Sequence, residues 1–159
     1  MPRIIKDGAI TEDNRASIDS GDSSPGQGQI CTLQQWQKLT NKQGSAVQLE
    51  PGQEPTPLLQ DLEDIELVVI NFSVFTDGRG FSYGRELREQ GYSGELRATG
   101  HFIRDQLTYL GRCGFNAFDL QEGADLHEAL NSLKDFSEHY QASIDSPQPL
   151  FRRRENARV

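Results

Sequence analysis

Apolar and polar positions follow two different periodicities along the chain, and together they predict short strands separated by helices. The continuous apolar run "ELVVINF" (residues 66–72) is typical of a strand buried on both faces of a parallel sheet. Shorter apolar runs followed by polar residues predict further strands at "AVQL", "GELRAT" and "FNAFDL". Each run is four to six residues long, which is a usual strand length of about 3–10 residues.

Helices are predicted between these strands, where apolar residues recur every three or four positions. Thr32 with Gln35, and Asp125 with Glu128, are capping signals at the starts of the first and last helices. The last helix is expected to be long, because its apolar stripe continues to Tyr140. The other predicted helices are "PTPLLQDL", Ser82 to Gln90, and "FIRDQLTYLGRC".

Three helices are predicted to end at a glycine that a strand follows at once, namely Gly44, Gly91 and Gly114. Strands joined by helices lie parallel, with right-handed crossovers. About four such strand–helix units predict a single α/β domain with a mainly parallel sheet. Four units are also half of an eight-unit barrel. The domain is therefore either an open sheet or a half-barrel that pairs with a second copy as a homodimer.

Both ends of the chain are predicted to lie outside this domain. "RIIKDGAITED" reads as a hairpin around the turn pair Asp7-Gly8. The segment Ser20 to Gln29 is rich in serine, glycine, proline and glutamine, which favours a flexible linker. We therefore expect a hairpin and linker at residues 1–29, the α/β domain at 30–145, and a disordered, arginine-rich tail at 146–159.

Composition excludes several functions. The net charge of -8 argues against binding to nucleic acid or to acidic membranes. The chain has no apolar run long enough to span a bilayer and no signal-peptide pattern, so we expect a cytoplasmic protein. Two cysteines and three scattered histidines have no metal-ligand spacing. Neither GxGxxG nor GxxxxGK[ST] occurs, so no nicotinamide, flavin, nucleotide-phosphate or other cofactor site is evident.

Polar residues follow two neighbouring strands, where ligands bind in parallel sheets. Glycines and arginines there would hold an oxyanion through backbone N–H groups and bidentate guanidinium contacts. We predict a pocket for a small oxyanion or for a sulfated or phosphorylated ligand. The expected catalytic residues are Asp77, Arg79, Arg104 and Asp105. The expected ligand-binding residues are Thr76, Gly78, Gly80, Ser82, Arg97 and Gln106, with no metal ligands.

Other interpretations of these residues stay open. The glycines could simply make a tight turn in which Asp77 and Arg79 pair on the surface. Arg97 lies in mid-strand, where it can point into a pocket or into solvent. Cys113 is expected to be a buried, inert thiol. Aromatic residues on the helices and loops could stack on a flat ligand or pack in the core; these are Phe81, Tyr83, Phe102 and Tyr109.

The segment from Phe75 to Leu120 carries a set of motifs that resembles a known bacterial family. This family is described as oxidoreductases involved in sulfite reduction. The matching segments are Phe75 to Gly80, Leu87 to Glu89, Gly94 to Ala98, Arg104 to Gln106, and Arg112 to Phe118. The resemblance implies a place in assimilatory sulfate and sulfite reduction. Because no redox cofactor site is evident, it implies a chain that acts with a sulfite or activated-sulfate reductase.

Three functions are consistent with these residues and with the resemblance. The first is an accessory protein that binds a sulfur oxyanion or sulfated ligand beside a partner reductase. The second is a scaffold without chemistry of its own. The third is an independent enzyme that acts on a small phosphorylated or sulfonated compound, with Asp77 or His101 as the base. We expect the accessory role.

Overall fold

A computed structural model of the chain describes residues 2–15 and 28–157. Within these residues seven strands form one sheet. The strands are β1 Arg3–Lys6, β2 Ala9–Glu12, β3 Ile30–Thr32, β4 Ser45–Leu49, β5 Ile65–Phe72, β6 Glu95–Gly100 and β7 Ala117–Phe118. The α-helices are α1 Leu33–Gln37, α2 Arg79–Glu89, α3 Leu107–Arg112, α4 Leu126–Ser132 and α5 Leu150–Asn156. Single turns of 3-10 helix are Thr56–Leu58 and Arg104–Gln106.

The strands of the sheet run in the order β2-β1-β7-β6-β5-β4-β3. Strands β3 to β7 are parallel and adjacent in sequence order, so each crossover moves one place along the sheet. The predicted α/β class with a mainly parallel sheet is confirmed. The sheet is open, with β2 and β3 at its edges, so the half-barrel alternative is wrong. The homodimer stays a prediction.

The N-terminal hairpin belongs to this sheet instead of forming a separate arm. β1 pairs antiparallel with both β2 and β7. Its turn has Asp7 and Gly8 at φ of 48° and 75°, as a two-residue hairpin requires. Ile4 and Ile5 are buried, which explains why the hairpin docks. Most of the predicted linker, residues 20–27, lies outside the described residues.

Helices α1 to α4 cover one face of the sheet. Their buried side chains join those of the strands in one core cluster, which includes Trp36, Leu87, Leu107 and Ala129. α2 lies close to β5, because a Cβ added at Gly80 would be 2.6 Å from the ring of Phe72. The other face of the sheet has a smaller buried cluster of Ile30, Ala46, Leu67 and Val69.

Arg88 on α2 ties together the turns that follow α2 and α3. Its Nη1 donates to the carbonyl oxygens of Tyr92 and Gly94, at 2.8 and 2.9 Å. Its Nε donates to the carbonyl of Gly114, at 2.9 Å, and its Nη2 donates to Oδ1 of Asn116. The half-buried guanidinium thus donates to three carbonyl oxygens and one side-chain amide oxygen in these two turns. Burial lowers the pKa of Arg88 from its ordinary value.

The C-terminal part differs from prediction. α4 ends at Ser132, so the prediction that this helix continues to Tyr140 is wrong. Phe136 and Tyr140, which were expected on its apolar face, are 64 % and 68 % exposed. In a longer helix the carbonyl of Ser132 would accept a hydrogen bond from the N–H of residue 136. Here it accepts from the Thr108 hydroxyl at 3.0 Å instead. Further on, the segment expected to be disordered contains helix α5. Its Arg153 donates to the carbonyl of His139 at 2.7 Å.

Replacing Gly84 by alanine is expected to destabilise the fold. A Cβ at this position of α2 would lie 2.4 Å from Cε2 of the buried Phe115 ring. Overpacking of this kind costs about 1–3 kcal/mol, which exceeds the gain of about 1 kcal/mol from helix propensity. Urea unfolding of the variant measures the loss. The control is Gly111→Ala on α3, where a Cβ meets no atom within 4 Å, and its stability should be unchanged or higher. Equal behaviour of the two variants would contradict this packing.

Candidate functional site

The two loops predicted to form the site lie side by side. The first joins β5 to α2 and the second joins β6 to α3. Nε2 of Gln106 donates to the carbonyl of Phe75 at 2.8 Å, which fastens the second loop to the first. Oε1 of the same amide accepts from the N–H of Ile103. Neighbouring parallel strands bring their carboxyl ends to one edge of the sheet, so the two loops meet for the reason that the sequence suggested.

Asp77 and Arg79 form a closed pair at the start of α2. Nε and Nη2 of Arg79 donate to the two carboxylate oxygens of Asp77, at 2.9 and 2.7 Å. The backbone N–H of Arg79 donates to the same carboxylate at 3.1 Å. Hydrogen bonds from the Arg79 side chain and backbone lower the pKa of Asp77 to about 2. This carboxylate therefore takes the place at the helix start that we expected an external anion to occupy.

The glycines of this segment have different roles from those expected. Gly78 has a φ of -79°, an ordinary value for any residue, and α2 begins directly after it. Gly80 has no positive φ either, and it is needed because α2 lies against Phe72. The predicted start of this helix at Ser82 is therefore three residues late. Neither Gly78 nor Gly80 therefore adopts a backbone conformation that only glycine allows.

Arg104 points to a partner on α4. Its Nη1 forms an ion pair with Oε1 of Glu128, and both side chains are about half exposed. The hydrogen bond with Glu128 raises the pKa of Arg104. Asp105 and Thr76 are exposed on the loops. Each arginine of the predicted site thus has its own carboxylate, and each ion pair would have to open for the arginine to bind a ligand.

Arg97 lies on the face of the sheet opposite to helices α1 to α4. It is almost fully buried, and its Nε and Nη2 donate to Oε1 of Glu95 at 2.9 and 2.7 Å. Its Nη1 donates to Oδ2 of Asp13 at 2.8 Å. Nζ of Lys6 lies 2.7 Å from the other oxygen of Glu95. These bonds use the guanidinium of Arg97 to tie the N-terminal hairpin to the middle of the sheet.

The carboxyl ends of β4 to β7 carry a row of polar side chains on this second face. Nδ2 of Asn71 donates to Oε2 of Glu50 at 2.6 Å. The Thr99 hydroxyl donates to Oδ2 of Asp119 at 3.0 Å. The strand register places Asn71 beside Thr99, so the row crosses four strands. The sequence signal is one polar residue at or near the end of each predicted strand, and these residues bond to one another in pairs.

A cavity between α2 and α3 brings three of the predicted ligand-binding residues together. We call it the α2–α3 pocket. Its volume is about 350 Å³, within the range of about 300–1,000 Å³ usual for small-molecule sites. It is lined by Gly78, Phe81, Ser82, Arg85, Gln106, Tyr109 and Cys113. Arg85 was not among the predicted site residues. Its spacing was nevertheless a usable signal, because residues three apart, such as Ser82 and Arg85 or Gln106 and Tyr109, lie on one face of a helix.

The inner wall of the α2–α3 pocket is apolar and neutral. The rings of Phe81 and Tyr109 lie 5.0 Å apart between centroids, with an angle of 39° between their planes. The Cys113 thiol is buried, as predicted, and burial raises its pKa above the ordinary value. The charge of a Cys113 thiolate and burial raise the pKa of Tyr109. Both groups are therefore protonated at neutral pH, and neither acts as a nucleophile there.

A larger concavity, of about 700 Å³, lies between β1 and the loop that leads into α4. Its charged side chains are mainly the carboxylates of Asp119, Glu122 and Asp125, with Arg3 as the cation. Such a lining repels an anion. Within residues 2–15 and 28–157 no group of three or more histidine, cysteine or acidic side chains could hold a metal ion. In the same described ranges no helix is long and apolar enough to cross a membrane.

The fold and these sites can be compared with known proteins. The model of a family described as bacterial protein of unknown function (DUF934) matches residues 46–151. The chain belongs to this family. The match begins at β4 and ends in α5, so it includes both loops and the α2–α3 pocket. The comparisons with curated proteins and with solved structures found no match. The family description assigns no activity, so function has to be argued from the DUF934 residues themselves.

Proposed function

We propose that this DUF934 protein is an oxyanion-binding accessory of assimilatory sulfite reduction, acting with a partner reductase. The observation that carries the binding role is the α2–α3 pocket, which places a guanidinium and two hydroxyl groups around one cavity. These groups belong to Arg85, Ser82 and Tyr109. The role in sulfur assimilation is supported by the resemblance of the motif set between Phe75 and Leu120 to a family described as oxidoreductases involved in sulfite reduction.

The pocket suits an anion better than the ion pairs around it. Among the residues that the structure describes, Arg85 forms an ion pair with Glu89 alone, one turn further along α2, and both side chains are about half exposed. Such exposed i,i+4 pairs contribute only about 0.3–0.5 kcal/mol, so Arg85 can turn to a ligand at little cost. A charge-assisted hydrogen bond to an oxyanion is stronger than a neutral one. Ser82 and Tyr109 add neutral donors and introduce no repulsive charge.

Arg85→Gln is expected to weaken the binding of sulfite or sulfate about tenfold, because it removes the charged donor of the pocket. Isothermal titration calorimetry of the purified protein measures this. The matched control is Glu89→Gln, which removes the partner of Arg85 but keeps the guanidinium, and it should bind as well as the wild type or better. Arg79→Gln tests the original loop site. Loss of binding in Arg79→Gln with normal binding in Arg85→Gln would contradict the pocket assignment.

The sulfur role is tested in the bacterium. A deletion strain should grow poorly on sulfate or sulfite as the sole sulfur source and normally on a reduced source such as cysteine. Complementation by the wild-type chain should restore growth, and complementation by Arg85→Gln should restore it less. Normal growth of the deletion strain on sulfite would contradict this part of the proposal.

A scaffold role is a second candidate, because large apolar side chains are exposed on the two loops. Val74, Phe75 and Ile103 are 51 %, 53 % and 44 % exposed. Grouped apolar side chains on a surface often mark a protein contact. The double variant Val74→Ser and Phe75→Ser separates the two roles. Unchanged oxyanion binding with loss of co-purification of a reductase would favour the scaffold; unchanged co-purification would count against it.

A further inference from the structure

We propose that the ligand of the α2–α3 pocket is a ring-bearing anion, such as a nucleoside phosphate or sulfate, and that Tyr109 is the surface on which its ring stacks. This inference rests on the proposed oxyanion binding and adds the class of ligand. It does not follow from a nucleotide motif, because the chain has neither GxGxxG nor GxxxxGK[ST]. It follows from the size of the cavity and from the arrangement of its walls.

The cavity is larger than an inorganic oxyanion needs. Its volume of about 350 Å³ lies in the range of about 300–1,000 Å³ that is usual for sites of drug-sized organic ligands. A bare sulfite or sulfate ion at Arg85 would leave most of this volume to water. A ligand with a planar ring and one anionic group would use both the polar and the apolar walls.

The lining contains both kinds of side chain that such a ligand requires. Ser82 and Arg85 on α2 are polar, as is Gln106. Phe81, Tyr109 and Cys113 form the apolar side, and the rings of Phe81 and Tyr109 are in contact. The chemistry of the apolar side does not favour a second charge, because both ionisable groups there remain neutral. One anionic group and one uncharged ring therefore match the lining.

Tyr109 has the properties of a stacking platform. The side chain is 55 % exposed, although one residue further along α3 Leu110 is completely buried. Its ring rests against Phe81, at 5.0 Å between centroids, which supports it from inside the protein. A supported and exposed aromatic ring loses little freedom when a base stacks on it, and such stacking is tolerant of the base.

The test uses adenosine 5′-monophosphate as the ring-bearing anion, adenosine as the ring without an anionic group, and inorganic sulfate as an anion without a ring. Calorimetry should show that the wild-type protein binds the nucleotide on the order of tenfold or more tightly than it binds adenosine or sulfate. Tyr109→Ala should reduce nucleotide affinity on the order of tenfold relative to Tyr109→Phe, which keeps the ring. Sulfate affinity should be the same in these two variants, because both lack the Tyr109 hydroxyl. The control is Tyr140→Ala, since Tyr140 is an exposed tyrosine outside the pocket.

The outcomes separate this inference from the proposed function. Sulfate binding that depends on Arg85, together with nucleotide binding no tighter than sulfate, would overturn the inference and leave the proposed function in place. Equal loss of nucleotide affinity in Tyr109→Ala and Tyr109→Phe would also overturn it, because stacking requires only the ring. No binding of any of the three probes would overturn both.

Discussion

Replacement of Arg97 by leucine is expected to lower the free energy of unfolding by about 3–5 kcal/mol. The change removes one partner from a buried ion network and leaves Glu95 and Asp13 without its guanidinium. Breaking a buried pair from one side costs this much because an uncompensated charge stays buried. Urea unfolding followed by circular dichroism measures the loss. Arg79→Leu is the control, since the Asp77–Arg79 pair is exposed, and its unfolding midpoint should barely move.

The same network predicts a dependence of stability on pH. Burial by itself would raise the pKa of Glu95, but the hydrogen bond from Lys6 and the charge of Arg97 outweigh burial and lower it. Because the pKa of Glu95 is lower in the folded protein, its ionised form stabilises the fold fully at pH values above its ordinary pKa of 4.5. This contribution is lost as the pH falls through the folded pKa. In Glu95→Gln the free energy of unfolding should fall less steeply with decreasing pH below pH 4.5 than it does in the wild type. The same slope in both proteins would exclude Glu95 as the source of the pH dependence.

The second large effect is expected at Arg88. Arg88→Met keeps the stem of the side chain but removes the donors that serve Tyr92, Gly94, Gly114 and Asn116. Buried acceptors left without partners cost about 1–3 kcal/mol each, and water can reach some of them here. We therefore expect a loss of about 3 kcal/mol in the free energy of unfolding, with both turns more open to hydrogen exchange.

Arg85→Met, one turn earlier on α2, is the control for Arg88→Met. Arg85 is about half exposed and its pairing with Glu89 is a surface contact, so stability should change by about 0.5 kcal/mol or less. The pair of variants also separates stability from binding on the same helix. If both variants lost the same stability, the hydrogen bonds of Arg88 could not be what holds the two turns.

Arg88 also brings several of the motif segments together in the fold. "LRE", "GELRA" and "RCGF" are separate in sequence, but Arg88, Gly94 and Gly114 meet in one hydrogen-bonded cluster. A Cβ at Gly114 would lie 2.4 Å from Cγ of Arg88, and Gly114 has a φ of 101°. Folding therefore gives these three motif segments a shared role, and "TDGRG" and "RDQ" line the α2–α3 pocket together with Cys113 of "RCGF".

The order of the elements could be predicted from local signals. Gly44, Gly91 and Gly114 all have positive φ values, as expected for glycines that end a helix or turn before a strand. Thr32 and Gln35 form the predicted capping box. The apolar run at residues 66–72 lies within the central strand β5, which pairs on both sides. These features depend on neighbours in sequence, so the sequence contains the information.

The remaining features depend on contacts between distant residues. Nothing within the hairpin sequence indicates that β1 pairs with β7, and this pairing decides that the sheet is open at β2. The end of α4 depends on a hydrogen bond from Thr108, 24 residues earlier. Likewise, the sequence identifies Asp77 and Arg79 as candidate site residues, but only the folded geometry shows that they bond to each other. The exposure of Tyr109 also follows from the folded geometry.

A titration of ¹⁵N-labelled protein with sulfite, followed by heteronuclear NMR, tests whether the α2–α3 pocket binds an oxyanion. Binding there should give saturable shifts of the backbone signals of Ser82, Arg85 and Tyr109, of the side-chain amide of Gln106 and of Nε–H of Arg85. These residues surround the α2–α3 pocket. The same titration of Arg85→Gln should need about tenfold more sulfite. Shifts confined to the loop around Glu122, or no saturable shifts at all, would contradict the account.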